Sequence, residues 1–185
     1  NFNPDKQHTL VKGVSISGTD LHSGINVDMT LKPANPGFGY QFQRVDLPGM
    51  PVIKADCDFV TETARGTTLE HGDARVSTVE HILAALVGMG IDNVLIELTG
   101  PEIPIMDGSS GQFTEIIEMA GVQEQDAAKS WYSIDENIFL QQLTNMWIEQ
   151  YGINGKLENT IQCYCGYEKL KTYLTNNQNY VLDFF

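Results

Sequence analysis

Residues 75–90, RVSTVEHILAALVGMG, decide the fold, because they predict one amphipathic helix with both of its ends marked. Five apolar side chains recur at helical spacing and predict a stripe that faces the core: Val79, Ile82, Leu83, Leu86 and Val87. Ser77, followed three residues later by Glu80, is typical of a capping box at a helix start. Gly88 and Gly90 are suited to a left-handed C-cap. The stretch therefore predicts a helix that is capped by Ser77 and packs on one face.

Glu80 and His81 are adjacent in the first turn of this helix, and His81 shares a face with the small residues Ala84, Ala85 and Gly88. One interpretation is structural, with Glu80 as a capping residue and His81 as a solvated side chain. The other is chemical, because neutral imidazole binds metals and a neighbouring carboxylate can take a proton from metal-bound water. Capping boxes are common, so the pair alone favours the structural interpretation by about two to one.

Composition narrows the class of protein. The chain has 185 residues, a length that allows one large or two small domains, and its hydrophobic content of 42% fits a globular protein. The net charge of −13 argues against a nucleic-acid partner and an anionic membrane surface. No apolar run of about 18 residues predicts a membrane span, and we expect no secretory signal. Three scattered cysteines are not a disulfide framework, so we expect a cytoplasmic protein.

The clearest strand is predicted at residues 25–31, where apolar and polar side chains alternate without error. We expect it to pair antiparallel with a strand at 9–17, through the loop at 18–24. Further strands are expected at 40–47, 52–59 and 91–98, whereas 61–69 fits either a strand or a loop. A second helix is expected at 112–120, ended by Gly121. The fold class is therefore α+β: a two-layer domain of mainly antiparallel sheet with two helices on one face.

Three motifs come in the order and spacing of one enzyme family: LHSG at 21–24, STVEH at 77–81 and EIPIMDGS at 102–109. Over residues 6–138 the chain resembles the zinc-dependent UDP-3-O-acyl-N-acetylglucosamine deacetylases of lipid A biosynthesis. The segment ETARGTT at 62–68 is similar to the form found in Bacteroides-type bacteria. In those bacteria the deacetylase is often fused to a 3-hydroxyacyl-carrier-protein dehydratase, which nothing in these 185 residues resembles.

The resemblance implies a cofactor, a substrate and a role for each matching residue. The cofactor would be Zn²⁺, and the substrate would be a UDP-linked acylated glucosamine that loses its acetyl group. Glu80 would be the general base that deprotonates zinc-bound water, and His81 would be a zinc ligand. Four residues would line the site or lie beside the substrate: Leu21, His22, Thr63 and Asp107, the last a weaker assignment in a structural loop.

The resemblance also implies two similar α+β domains with the active site between them. The second domain of the family supplies a His and an Asp as further zinc ligands, in a His-Lys-x-x-Asp segment, and a general-acid His. The four histidines of this chain all fall in the matching part: His8, His22, His71 and His81. We expect an N-terminal deacetylase domain at 1–125, a linker and the first strand of the second domain at 126–138, and a divergent or truncated tail at 139–185.

The origin of residues 139–185 stays open between a reading-frame or assembly error, a diverged segment that folds back on the first domain, and unrelated sequence. Two functions also stay open. The first is an enzyme fragment with an incomplete metal site and little activity by itself, because catalytic zinc usually has three protein ligands. The alternative is a non-catalytic domain that binds a nucleotide-sugar or a partner.

Overall fold

The computed structural model describes residues 3–130 of the chain. The tail at 139–185, and the part of the expected linker and strand beyond residue 130, lie outside the described residues. Within residues 3–130 the strands are β1 Lys6–Leu10, β2 Val14–Thr19, β3 Asn26–Pro33, β4 Tyr40–Arg44, β5 Val52–Lys54, β6 Val60–Glu62, β7 Thr68–His71, β8 Ala74–Val76, β9 Val94–Leu98 and β10 Val122–Ala128. The helices are α1 Glu80–Gly88, α2 Gly111–Ala120 and a short 3-10 helix, Cys57–Phe59.

The strands of this part form three sheets. The main sheet has the order β2-β3-β9-β4-β5, while β6-β7-β8 form a second sheet and β1 pairs with β10. Within the described residues, β4 and β9 run parallel and the other strand pairs run antiparallel. The expected pairing of the 25–31 strand with its predecessor is present as β2 and β3, in register from Val14 with Leu31 to Thr19 with Asn26. The α+β class with a mainly antiparallel sheet is confirmed.

One face of the main sheet is apolar, because alternate residues of neighbouring strands lie opposite one another. Its buried side chains are Met29, Leu31, Phe42, Ile53, Ile96 and Leu98. The helices bury apolar side chains in the same hydrophobic core: Ile82, Ala85 and Leu86 from α1, and Phe113, Ile116, Ile117 and Ala120 from α2. The other face of the sheet carries polar residues such as Asp28, Lys32 and Glu97. Hence the domain has two layers.

The single strand expected at 9–17 is wrong, since β1 and β2 belong to different sheets. The Val11 amide donates to the Gly121 carbonyl at 3.0 Å, and Val11 is 58% exposed where the chain passes between sheets. The partner of β1 is β10, whose sequence VQEQDAA has no clear apolar alternation and was not predicted. The expected domain boundary at residue 125 falls inside β10.

The strands expected at 40–47, 52–59 and 91–98 are all shorter in the structure, at Tyr40–Arg44, Val52–Lys54 and Val94–Leu98. Of residues 52–59, β5 takes only Val52–Lys54, and the 3-10 helix follows because the Asp56 carboxylate caps it by accepting from the Asp58 amide at 3.1 Å. The ambiguous segment 61–69 divides into the end of β6, a loop and the start of β7. No helix in residues 3–130 is long and apolar enough to cross a membrane.

The helix at 75–90 exists, but its predicted start is wrong. Helix α1 begins at Glu80, and Val79 occupies the N-cap position without a side-chain hydrogen bond. Ser77 does not cap the helix, because it lies three residues before Glu80 and its hydroxyl accepts from Thr68 and Arg75 instead of from a helix amide. Its amide donates to the Pro101 carbonyl at 2.9 Å, and its carbonyl accepts from the Ile103 amide at 3.1 Å. The backbone pairing of Ser77 therefore replaces the capping box.

The predicted end of α1 is confirmed at Gly90, which has φ +70°. The Gly90 amide donates to the Val87 carbonyl and the Ile91 amide to the Leu86 carbonyl, each at 3.0 Å, the pattern of a Schellman C-cap. Gly88 is the last helical residue instead. Val87, predicted to face the core, is 53% exposed because it lies at the edge of the stripe, and Ala85 is buried instead.

Gly90→Ala tests this C-cap. We expect it to lower the free energy of unfolding by about 1–2 kcal/mol, because an L-residue at positive φ is strained while open space surrounds the position. Gly88→Ala is the matched control, since it adds the same methyl group two residues earlier without a positive φ and without a contact. It should be neutral or slightly stabilising. Urea denaturation of both variants measures the difference, and equal effects would contradict the assignment of Gly90 as the C-cap.

Candidate active site

The segment at 100–111 brings two of the three sequence motifs together. Its two prolines prevent a regular interior strand. It runs instead beside Ser77, with which Glu102 forms an isolated parallel bridge. The hydrogen bonds of Ser77 to Pro101 and Ile103 hold this bridge. The backbone of the third motif is thereby fixed against the residue that leads into α1.

The side chain of Glu102 joins the remaining motif to this bridge. Its Oε1 accepts from the Thr78 hydroxyl and lies 2.7 Å from His22 Nδ1, while its Oε2 accepts from the His22 amide at 3.3 Å. Glu102 is only 5% exposed and Thr78 only 2%. A buried carboxylate is costly unless it is hydrogen-bonded and paired, and here both oxygens are engaged. One acidic side chain thus connects all three motifs.

Thr78 turns the chain from the bridge into α1. It has φ +61°, a left-handed conformation that is strained for a β-branched residue and costs of order 1–3 kcal/mol. The hydrogen bond from its hydroxyl to Glu102 and its near-complete burial hold it there. Because the turn occurs at Thr78, Glu80 is the first helical residue. Its side chain extends away from the helix.

The Glu80 carboxylate reaches the loop at 62–68. Its Oε2 accepts from the Thr67 amide at 2.9 Å. A methyl group on Gly66 would lie 3.2 Å from Glu80 Oε1 and 3.4 Å from the Thr78 hydroxyl, and Gly66 has φ +150°. The loop therefore needs glycine at this position to approach Glu80 so closely. The structural interpretation of Glu80 as a capping-box residue is wrong, because its partner is Thr67 and not Ser77.

His81 follows Glu80 on α1 and is partly buried. Its carbonyl accepts from the Ser110 hydroxyl at 3.0 Å, which ties the start of α1 to the residue before α2. Within residues 3–130, no hydrogen bond or ion pair engages the His81 imidazole. The ring nitrogens are therefore available to a ligand.

The loop that carries His22 is shaped by Asp20. The Asp20 carboxylate accepts from the Ser23 hydroxyl, and from the Ser23 and Gly24 amides at 2.7 Å each. Burial alone raises the pKa of Asp20, but the hydrogen bonds from Ser23, Gly24 and Ile25 outweigh it, so the pKa lies below its ordinary value of 3.8. Asp20 is 4% exposed, whereas Leu21 is 56% exposed at the tip of the loop.

An open pocket of about 590 Å³ lies between these segments. Its walls include His22 and Ser23 from one loop, Arg65 and Gly66 from another, and the buried Glu102. Arg75 also lines it and pairs with Glu62 at 3.2 Å and with Glu70 at 3.6 Å. The pocket thus has cationic and anionic groups on its walls and an imidazole at its rim.

The structure brings together only some of the residues that were predicted from the sequence. His22 lines the pocket, and Glu80 reaches the loop at 62–68 that forms one wall. Thr63 is exposed on that loop, between the pocket residues Glu62 and Arg65. Of the predicted site residues, only His22 lines the pocket; Leu21, Thr63, Glu80, His81 and Asp107 do not. The exposed Asp107 carboxylate accepts from the Ser109 amide and hydroxyl, which lower its pKa.

Three residues at the site were missed as functional candidates: Asp20, Thr78 and Glu102. Asp20 lies just before Ser23 and Gly24, and Asp, Ser and Gly are all typical turn residues, so this signal was readable in the sequence. Glu102 lies in the third motif. No local pattern indicates that its partners are His22 and Thr78, because both are far from it in sequence. Nothing in the spacing of residues predicts the positive φ of Thr78.

Residues 3–130 do not by themselves complete a zinc site. His81 is a suitable ligand with a carboxylate next to it, but catalytic zinc usually has three protein ligands. Within the described part, the group of three potential ligands that lie close together is Asp56, Cys57 and Asp58. All three are exposed, they come from consecutive positions around the 3-10 helix, and the group includes neither His81 nor Glu80.

The sequence of the chain is similar to that of a known enzyme family and of several of its members. The family model described as LpxC: UDP-3-O-acyl N-acetylglycosamine deacetylase matches residues 7–183. That range extends past residue 138, where we expected the resemblance to end. The chain is 49% identical over 133 residues to the bifunctional enzyme LpxC/FabZ of Bacteroides thetaiotaomicron, a match that covers 72% of the chain and 29% of that protein.

Two further relatives are named UDP-3-O-acyl-N-acetylglucosamine deacetylase. The one from Methylococcus capsulatus is 50% identical over 129 residues, which is 70% of this chain and 42% of the relative. The one from Myxococcus xanthus is 52% identical over 123 residues, which is 66% of this chain and 39% of the relative. The chain spans less than half the length of each of these three curated relatives.

The Asp20 loop gives a test that depends on pH. A lowered pKa means that ionised Asp20 stabilises the fold above its ordinary value of 3.8, and that this stabilisation is lost as the pH falls through the lowered value. We expect Asp20→Asn to lower the free energy of unfolding by about 1 kcal/mol at neutral pH. The deficit should shrink as the pH falls below 3.8, because the carboxylate is then protonated as the pH passes its lowered pKa.

Denaturant unfolding of the wild-type protein and Asp20→Asn across this pH range measures the effect. The control is Asp73→Asn, which removes an exposed carboxylate from the turn between β7 and β8. A deficit for Asp20→Asn that stayed constant with pH would show that the ionised carboxylate does not hold the loop.

Proposed function

The chain belongs to the UDP-3-O-acyl-N-acetylglycosamine deacetylase family. We propose that it forms the part of a zinc-dependent deacetylase that carries the general base, Glu80, and a zinc ligand, His81. The reaction would remove the acetyl group from UDP-3-O-(3-hydroxyacyl)-N-acetylglucosamine. The observation that carries the proposal is the start of α1. There the Glu80 carboxylate is held by the Thr67 amide, beside an imidazole that makes no hydrogen bond within residues 3–130.

The fixed position of Glu80 suits it to proton transfer. The Thr67 amide holds Oε2, while Oε1 faces the glycine of the neighbouring loop and keeps its lone pairs for a water molecule. A general base must lie within hydrogen-bond reach of the proton that it takes, so a carboxylate with one anchored oxygen is better placed than a mobile one.

Zinc, where it is bound, polarises the amide carbonyl and lowers the pKa of a water ligand to about 7. In this chain His81 is the residue that we propose as its ligand. The other ligands must come from outside residues 3–130, which supply only one imidazole at this place. The greater length of the curated relatives supports this proposal, because they have sequence beyond the part that this chain matches.

The finer assignments are proposals of the same kind. We propose that Leu21, His22, Thr63 and Asp107 belong to the loops that surround the substrate. The first domain would take residues 1–125 together with the rest of β10, and the second would begin beyond it. The bifunctional name of the Bacteroides thetaiotaomicron relative supports a fused or associated dehydratase as partner. The expected location of the enzyme is the cytoplasm.

Zinc content tests the incomplete metal site. We expect the purified 185-residue chain to hold clearly less than one zinc per chain at equilibrium, and His81→Ala to hold less still, because a single imidazole binds zinc weakly. His71→Ala is the control, since it removes an exposed imidazole that lies in a different part of the chain. Metal analysis after dialysis gives the numbers. Full occupancy that His81→Ala does not change would contradict the role of His81.

The role of Glu80 is tested where the metal site is complete. Residues 7–130 replace the matching part of the Bacteroides thetaiotaomicron enzyme, and acetate release from the acylated UDP-sugar is measured. We expect the chimera to be active, and Glu80→Gln to lower kcat by about 10²- to 10⁴-fold without loss of zinc, because the amide keeps the shape but not the basicity.

Glu118→Gln in the same chimera is the control, because it neutralises an exposed carboxylate on α2. Activity that survives Glu80→Gln would overturn the assignment of the general base. Tight binding of the UDP-sugar by the 185-residue chain that survives both Glu80→Ala and His81→Ala would favour the non-catalytic alternative.

A further inference from the structure

We propose that Glu102 is a positioning residue that fixes which nitrogen of His22 carries the proton, and so presents the other nitrogen to the pocket as a hydrogen-bond acceptor. The catalytic meaning of this arrangement rests on the proposed function, whereas the arrangement itself does not. The ligand group that such an acceptor would take is a hydroxyl or amide N–H, as a nucleotide-sugar carries.

The argument begins with a contrast in burial. Glu102 is 5% exposed, whereas the His22 side chain is 43% exposed and lines the pocket. His22 Nδ1 lies 2.7 Å from Glu102 Oε1. The imidazole therefore extends from a buried anchor towards an open cavity. A surface histidine without a specific role would not need a hydrogen bond to a buried carboxylate.

The chemistry of the pair decides the tautomer. An ionised carboxylate can only accept hydrogen bonds, so Nδ1 must carry the proton that lies between the two groups. In the neutral ring Nε2 then has a free lone pair. Because Nδ1 faces the buried carboxylate and His22 lines the pocket, Nε2 is the ring nitrogen that remains for a ligand there.

Two further contacts hold the Glu102 carboxylate and His22 in this arrangement. Glu102 Oε2 accepts from the His22 backbone amide at 3.3 Å, so the same carboxylate holds the residue at its main chain and its ring. The Thr78 hydroxyl donates to Oε1 at 2.7 Å, which prevents the carboxylate from turning. Glu102 itself is held by the backbone bridge to Ser77. The orientation of His22 is consequently tied to the residues that begin α1, which carries Glu80.

The test is the ¹⁵N NMR signature of the histidine side chains in the full 185-residue chain, recorded at about pH 8, where an ordinary imidazole is neutral. We expect His22 in the wild-type protein to carry its proton on Nδ1. In Glu102→Ala the proton should move to Nε2, since its acceptor is lost. In Glu102→Gln it should stay on Nδ1, because the amide oxygen can still accept.

Two controls separate positioning from a general loss of structure. Thr78→Val removes the other donor to Oε1 but leaves the carboxylate, so His22 should keep its proton on Nδ1. The exposed His71 lies outside this network, and its signals should stay unchanged in every variant. Because the wild-type measurement needs no variant, poor folding of Glu102→Ala does not prevent the test.

A wild-type His22 with its proton on Nε2 alone would overturn the proposal, as would a Glu102→Ala protein that keeps the wild-type tautomer. The measurement needs neither zinc nor turnover. Failure of the proposed deacetylase function would therefore leave this result standing, and a wrong tautomer would leave the roles of Glu80 and His81 untouched.

Discussion

The buried carboxylate of Glu102 is the constraint on which the candidate site depends. Burying a charge is costly unless hydrogen bonds replace its water, and the donors available here come from the His22 loop and from Thr78. Segments that are far apart in the chain must therefore meet at this one group. The neighbouring Ile103 is 1% exposed in the hydrophobic core, so the polar junction sits directly on the packed interior. The core therefore fixes the position of Glu102, and Glu102 in turn orients the His22 loop and Thr78.

Strain at Thr78 is the second element of this arrangement. A non-glycine residue at φ +61° persists only where its surroundings hold it, and here the backbone bridge at Ser77 and the hydrogen bond to Glu102 do so. The consequence is a change of direction immediately before α1. It allows the Glu80 carboxylate to bond the Thr67 amide instead of the amides of its own helix. The turn at Thr78 thus leaves Glu80, a residue typical of a capping box, with its carboxylate bonded to the loop at 62–68.

The described residues supply part of what a catalytic zinc centre requires. The described part offers an open pocket, imidazoles at His22 and His81 and an anchored carboxylate at Glu80, whereas catalytic zinc usually has three protein ligands. Sequence beyond the matched part of the longer relatives is the natural source of the rest. In such an arrangement each part can be well ordered by its own core while neither completes the chemistry. The hydrogen bonds of Glu102 with His22 and Thr78 order these loops from within residues 3–130.

The sequence by itself determined the features that depend on neighbours a few residues apart. It placed both helices, the alternation that buries Val27, Met29 and Leu31, and the adjacency of Glu80 to His81, and it offered Gly88 and Gly90 for the end of α1, of which the structure uses Gly90. Its motifs also identified the family. Tertiary structure alone decided that Ser77 pairs with 101–103 rather than capping α1, that β1 and β2 belong to different sheets, and that Glu102 joins His22 to Thr78. The reason is physical: propensity and periodicity act along the chain, whereas these contacts satisfy buried polar groups whose partners lie distant in sequence and near only after the core has packed.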